Sequence, residues 1–250
     1  MQHPPLTILT GGSRGMGLAM AGQLLDQGHF VLTLARHASP ALAQRADGGQ
    51  IEQWEQDLCD GAQAAQRLGG WLRAQPPGRF ASATLINNAG VIPALAPLSD
   101  SDPHDIAHAL RVGLEAPMQL AAAFLHATEA WAVPRKVLNI SSGLGRRAMA
   151  SQAGYCAAKA GMDHFTRCLA LDEARKPHGA RVCALAPGVI DTGMQAQLRG
   201  AGDAAFPDRG RFAALQAQGQ LSTPAEAAAR VLAYLARADF GADPVADVRG

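Results

Sequence analysis

The chain has 250 residues, 48% of them hydrophobic and 17% charged, enough for one large domain with a well-buried core. Its formal net charge is +1 and no lysine or arginine block occurs, which argues against a nucleic-acid or membrane-surface partner. The opening MQHPPLTILT lacks a basic n-region and a cleavage-like site, and no apolar run of about 18 residues follows, so a cytoplasmic protein without a membrane span is expected.

Leu6 to Thr10 is a short β-rich run that stops at Gly11 and Gly12; an apolar helical pattern begins around Gly17 and ends at Gly28. His29 to Arg36 is nearly continuous in apolar residues, as expected of a strand covered on both faces, and points to a parallel sheet. Ile51 to Asp57 predicts a third strand, Ala62 to Arg73 a helix, and Ala83 to Asn87 a fourth strand. Cys59, Cys156, Cys168 and Cys183 stand far apart without a CxxC pair and are read as reduced packing residues. The longest helical stretch runs from Asp102 to about Ala130, with a kink expected at Pro117. Arg135 to Ile140 is the fifth strand, Ala153 to Glu173 a helix, and Arg181 to Ala186 the sixth strand. Val189 to Gln220 mixes Gly, Pro, Met and Phe without a sheet pattern and is expected to be a mobile lid with short helices. Thr223-Pro224-Ala225-Glu226 is a capping box with proline at N1, opening a helix to about Ala238, and a short last strand is expected near Pro244 to Val248. Repeated βα units with right-handed crossovers predict a single-domain α/β fold over 1–250, a Rossmann-type doubly wound parallel sheet with ligands at the carboxyl ends of its strands.

Most of the chemistry-bearing residues fall at those ends. Thr10-Gly11-Gly12-Ser13-Arg14-Gly15-Met16-Gly17 sets glycines between the first strand and the first helix. Glycine permits a tight turn and close backbone approach, and the helix N-terminus offers free N–H groups to a pyrophosphate; the plain alternative is a flexible turn. Arg36 ends the second strand, where a site selecting NAD usually has an acidic residue for the ribose hydroxyls. An arginine there suits a 2′-phosphate, and Arg14 can clamp the same group; each alone reads as a surface charge, but together they favour NADPH over NADH. Asp57-Leu58 either meets an adenine ring or supplies a helix cap. Asn87-Asn88-Ala89-Gly90 ends the fourth strand, small enough for backbone to lie against a cofactor, with Asn87 alternatively tying neighbouring strands together.

The stretch Lys136 to Lys159 holds a hydroxyl, a phenol and an ammonium: Ser142, Tyr155 and Lys159. On a helix Tyr155 and Lys159 share one face, one turn apart. A lysine so placed favours the phenolate, making Tyr155 a proton donor or acceptor usable near neutral pH. Two hydroxyl donors aimed at one oxygen stabilise negative charge that develops on it. Taken singly, Ser142 reads equally as a backbone-bonding serine and Tyr155 as a half-buried core tyrosine. His104 and His108 mimic part of a zinc-protease HExxH, but Asp105 replaces the glutamate and no third ligand is evident, so solvated histidines and no metal are expected. Arg146-Arg147 is a solvated pair or an anion contact.

TGGSRGMG at 10–17, NNAG at 87–90, Ser142 thirteen residues before Tyr155, YCAAK at 155–159 and PGVIDT at 187–192 together resemble a classical short-chain dehydrogenase/reductase over nearly the whole chain. The resemblance implies NADP(H) held by Gly11, Ser13, Arg14, Gly15, Met16, Gly17, Arg36, Asp57, Leu58, Asn88, Ala89, Gly90, Tyr155, Lys159, Pro187, Gly188, Val189 and Thr192. It implies Tyr155 as the acid that protonates the carbonyl oxygen, Lys159 on the ribose hydroxyls, Ser142 on the substrate oxygen, and Thr192 with the backbone near Val189 on the carboxamide. RVCALAPGVIDTGMQAQLR and RFAALQAQGQLSTPAEAAARVLAYL are most similar to the branch of sepiapterin and benzil (diketone) reductases, which implies a small-molecule ketone or 1,2-dicarbonyl flanked by apolar groups.

Met194, Leu198, Phe206 and Phe212, with Leu144, Met149, Pro93 and Leu95, are expected to form the apolar pocket. Asp247 stands near the pterin-anchoring aspartate of that branch or is a turn aspartate. Ser151-Gln152 replaces the Gly-Trp frequent there. Gly113 stands where the family usually carries an asparagine that, through a helix kink and a water, links the lysine to solvent; Gly113→Asn is expected to leave the fold intact and turnover undiminished. Gly154, Ala157, Ala158 and Gly161 would allow close helix packing, and the family commonly pairs through this helix, so a homodimer or homotetramer is expected. The leading reading is an NADPH-dependent carbonyl reductase; the alternatives are a catalytically weak dinucleotide-binding regulatory protein and an acyl-thioester ketoreductase.

Overall fold

Seven strands, β1 (Leu6–Thr10), β2 (Phe30–Ala35), β3 (Ile51–Glu55), β4 (Ala83–Asn87), β5 (Arg135–Ile140), β6 (Arg181–Ala186) and β7 (Val245–Asp247), form one sheet in the order β3-β2-β1-β4-β5-β6-β7. Every neighbouring pair is parallel. This computed structural model describes residues 3–45, 50–202 and 205–249. The order reverses between β1 and β4, the topological switch point where a doubly wound sheet opens a crevice.

Alternation along each strand divides the core into two layers. Ile8, Leu85, Val137 and Val182 point to one face, covered by α3 (Gly61–Arg73) and α5 (Ala116–Ala127) through Leu68, Leu72, Leu120 and Phe124. Their neighbours Leu9, Ile86, Leu138 and Cys183 point to the other, covered by α1 (Gly15–Asp26) and α9 (Pro224–Ala236) through Met20, Leu24, Val231 and Leu235. Each such fully buried side chain contributes about 1.5–3 kcal/mol of transfer free energy. The capping box of α9 is present: Thr223 Oγ1 accepts from the Glu226 N–H at 3.2 Å, and Glu226 Oε2 accepts from the Thr223 N–H at 2.9 Å.

The remaining helices are α2 (Pro40–Ala43), α4 (Pro103–Leu110), α6 (Ala153–Ala174), α7 (Gly193–Gly200) and α8 (Arg209–Ala217). The kink expected at Pro117 lies one turn earlier. Arg111–Glu115 forms a π turn in which the Ala116 N–H reaches back five residues to the Arg111 carbonyl. Pro117 has no N–H for the Gly113 carbonyl four residues before it, so the α register cannot run through, and the wider turn absorbs the break. Pro117 itself sits in the first turn of α5, where a missing N–H costs nothing. Of the cysteines, Cys183 is core packing as expected, whereas Cys168 is exposed.

β2 and β3 stop before Arg36 and Asp57, earlier than the sequence pattern suggests, which leaves both residues on loops past the strand ends. Among its described residues the stretch 189–220 has no strand, only an isolated bridge between Ile190 and Ser222, and it carries α7 and α8. Leu198, Phe206 and Phe212 give it a small core of its own, the two rings lying 5.5 Å apart. Asp203 and Ala204 of this stretch lie outside the described residues.

Candidate active site

At the carboxyl ends of the strands a single cleft of about 890 Å³ opens, and every candidate cofactor-binding and acid–base residue named above lines it. The glycine loop forms its floor. Gly15 takes φ +55, and a Cβ on Gly17 would lie 2.1 Å from the Gly11 carbonyl oxygen, so the turn into α1 admits no side chain there. The cradle fits a pyrophosphate, which needs backbone N–H groups brought close with nothing in front of them. Arg14, exposed, is the N-cap residue of α1, and exposed Arg36 lies beside His37, Glu55 and Asp57 at the far end of the cleft.

The alternatives left open by the sequence resolve residue by residue. Asp57 does not cap α3: its Oδ1 accepts from the Cys59 N–H at 2.9 Å, and the cap is Asp60, which accepts from the Gln63 N–H at 3.0 Å. Asn87 ties strands together, its amide donating to Asn139 Oδ1 at 2.9 Å while Asn139 donates to Thr166 Oγ1 at 2.8 Å. Asn88 instead pins the glycine loop, donating to the Thr10 carbonyl at 2.9 Å, and Thr10 Oγ1 accepts from the Asn88 and Ala89 N–H groups. Gly188 takes φ +84 in the turn after β6, and the Thr192 methyl would stand 3.8 Å from a Cβ on Gly15, so this turn and the glycine loop face each other.

Ser142 follows β5 and its hydroxyl accepts from the Leu144 N–H at 3.2 Å, leaving its own proton to donate elsewhere. Tyr155, half-buried in the first turn of α6, lies next to it. Burial raises the Tyr155 phenol above its usual range, with the Ser142 hydroxyl pulling the other way. The expected influence of Lys159 on the phenol is not what dominates. Lys159 Nζ donates to the Ile140 carbonyl at 2.7 Å and lies 5.8 Å from the Tyr155 ring centre. Burial lowers the ammonium to about 8, opposed by the charge of Asp163. Asp163 is itself buried, accepts from the Ser141 hydroxyl, and meets Arg146 Nε at 3.3 Å. Arg146 also donates to the Ala246 carbonyl at 3.1 Å, so it is a structural strut; Arg147 is exposed on the cleft without an ion pair among the described residues.

Gly113, buried in the π turn, is more than a missing amide. A Cβ there would lie 3.1 Å from Ala158 Cβ on α6, and a Cβ on Gly161 would lie 2.8 Å from Leu114 Cδ2. Ala158 and Gly161 therefore serve packing inside the chain, against the π turn, rather than leaving a free face for a second copy. The expectation that Gly113→Asn leaves the fold undisturbed is revised accordingly. The substitution overpacks the contact and is expected to cost about 1 kcal/mol, read as a lowered thermal midpoint, and to cost less when made in an Ala158→Gly background.

The apolar arm is narrower than expected. Leu144, Met149, Met194, Leu198 and Phe212 line the cleft, joined by Ile92, Val112 and Leu215. Phe206, fully buried, and Leu95 belong instead to the core of the 189–220 segment, and Pro93 does not line the cleft. Asp247 is closed bidentate on Arg249, at 2.8 and 2.7 Å, and it is Arg249 that lines the cleft. His108 faces the cleft while His104 is exposed; among the described residues no group of three metal-ligating side chains gathers around them. The sequence singles out Gln152 only as a departure from Gly-Trp and gives no sign of Gln195, Arg211 and Arg249, all of which stand on the cleft wall. His108 and Val112 carried a signal, four residues apart on one helical face.

Comparison with known proteins agrees with this geometry. The sequence model of the family described as "short chain dehydrogenase" matches residues 6–202. Benzil reductase ((S)-benzoin forming) of Bacillus cereus is 32% identical over 235 residues, covering 93% of this chain and 94% of the relative. Sepiapterin reductase of Rattus norvegicus is 30% identical, covering 93% and 92%. The crystal structure of a short-chain dehydrogenase/reductase from Burkholderia vietnamiensis is 35% identical with a TM-score of 0.69, covering 100% of this chain and 99% of that one. With its motifs gathered on one cleft of a seven-stranded parallel sheet, the chain belongs to the short-chain dehydrogenase/reductase family of oxidoreductases.

Proposed function

We propose that the protein is an NADPH-dependent carbonyl reductase acting on a ketone or 1,2-dicarbonyl flanked by apolar groups, with Tyr155 as the acid. The observation that carries this reading is the meeting of Ser142, Tyr155 and Lys159 with the glycine cradle on one cleft. The backbone at Gly11 to Gly17 would hold the pyrophosphate, Asp57 and Leu58 the adenine, Arg14 and Arg36 the 2′-phosphate, and Lys159 the nicotinamide-side ribose. Asn88 to Gly90 would back the cofactor, and Pro187 to Val189 with Thr192 would hold the carboxamide. The bound cofactor supplies a hydride to the carbonyl carbon.

Everything else is the work of the side chains. With its pKa raised by burial, the Tyr155 phenol is protonated at neutral pH, the state an acid needs before it gives its proton to the carbonyl oxygen. The Ser142 O–H donates to the same oxygen and stabilises the charge that develops on it. Lys159, cationic below about pH 8, supplies positive charge beside the phenol as the proton leaves. Leu144, Met149 and Phe212 exclude water from the reacting carbon. The 189–220 segment acts as the cap, and residues 1–250 work as one NADP-binding unit. Among the described residues no helix is long and apolar enough to cross a membrane. We place the protein in the cytoplasm as a homodimer or homotetramer, with the exposed Met118 on α5 and Leu171 on α6 in the contact.

NADPH consumption measured with benzil, sepiapterin, a simple aryl ketone and an acetoacetyl thioester tests this reading. Turnover is expected with benzil; preference for the thioester would move the activity to acyl-thioester reduction, and NADPH binding without turnover on any carbonyl would leave a regulatory protein.

A further inference from the structure

The cleft holds a buried polar group that the acid–base apparatus does not use. Gln152 is the N-cap residue of α6, three positions before Tyr155, and is 1% exposed. Its side chain makes no cap hydrogen bond, and neither Nε2 nor Oε1 has a partner among the described residues, although the residue lines the cleft. A primary amide offers two donor hydrogens and an acceptor, and burying all of them unpaired is among the costlier arrangements a fold can keep. The backbone leading into it is also strained: Ser151 takes φ +60, left-handed, where glycine would sit freely. Across the cleft Gln195, on α7 and 7% exposed, leaves its Oε1 without a partner as well.

An apolar side chain at position 152 would avoid the desolvation cost. The amide is instead held at the start of the helix, on the same turn as Tyr155, where side chains three apart are neighbours. Gln152, Ser142 and Tyr155 line the same cleft.

We propose that Gln152 is a specificity residue whose amide N–H donates to an oxygen on the carbon next to the reacting carbonyl, so that the cleft selects vicinal dicarbonyl compounds over simple ketones. The proposal rests on the reading of the cleft as a carbonyl-reducing site. A simple ketone places a methylene against the amide and leaves it unpaired, and a site built to hydrogen-bond a substrate rejects the analogue that lacks the partner.

Benzil and deoxybenzoin differ only in that one carbonyl becomes a methylene, so the ratio of their kcat/KM values in wild type and in Gln152→Met cancels their intrinsic reactivities. The ratio is expected to fall by about 10-fold or more in the variant, through loss of benzil activity. In the absence of any ligand the same variant is expected to melt about 2–4 °C higher, because the unpaired amide is gone. An unchanged ratio, a lower melting point or a variant that fails to fold would each overturn the proposal while leaving the carbonyl-reductase reading standing. Wild type that binds NADPH but reduces neither ketone would reject that reading, and the proposal with it.

Discussion

Tyr155→Phe is expected to lower kcat for ketone reduction by about 10³-fold while NADPH still binds, since a positioned general acid contributes roughly 10²–10⁴. The ring stays half-buried in the first turn of α6 and only the hydroxyl beside Ser142 is lost, so the fold keeps its packing. The loss should appear in kcat and in kcat/KM together, because the proton is given only as charge develops on the oxygen. Steady-state rates at saturating NADPH, with binding followed separately by quenching of protein fluorescence, distinguish a lost acid from a lost site. Turnover within a few-fold of wild type would remove Tyr155 from the acid role and force a search among the other donors on the cleft.

The second large effect concerns the cofactor. Arg14→Ser together with Arg36→Asp is expected to cut the preference for NADPH over NADH by about 10²-fold or more, each charge-assisted contact to the 2′-phosphate being worth about 1.5–3 kcal/mol. Both guanidinium groups are exposed at the cleft's adenine end, so their removal disturbs no core. Most of the change should come as a raised KM for NADPH, with kcat on NADH preserved. A preference that does not move would mean that the two arginines are surface charges, as either alone reads in the sequence.

What the sequence could foretell follows from which interactions are local. The strands were legible because sheet faces alternate residue by residue: Ile8 and Leu9 enter opposite layers whatever packs on them. The glycine loop and the Ser142–Tyr155–Lys159 spacing were legible because the close approach at Gly17 and the helical offset are properties of short segments. The π turn was not. Pro117 announces a break in the hydrogen-bond ladder, but where the break settles depends on Gly113 nestling against Ala158, forty-five positions later in the chain. Phe206 and Phe212 look alike in sequence and share the small core of the 189–220 segment, and only the fold decides that the second also reaches the cleft. Asp247 reads as an anchor or a turn aspartate, and the second holds: its Oδ1 accepts from the Arg249 N–H at 3.0 Å and the Arg249 side chain closes over it. Gln152 stands out in sequence only as a departure from Gly-Trp; its meaning comes from being buried without a partner.

If the proposed chemistry is right, this cleft moves a hydride from NADPH to a carbonyl carbon while Tyr155 supplies the proton. Incubation of the protein with benzil and NADPH carrying deuterium on one face of nicotinamide C4, then on the other, followed by mass spectrometry of the product, tests it most directly. Benzoin bearing one deuterium on its carbinol carbon is expected from one of the two labelled cofactors, and none when Tyr155→Phe replaces wild type at equal times. Bound NADPH that is never oxidised, or benzoin without deuterium from either cofactor, would contradict it.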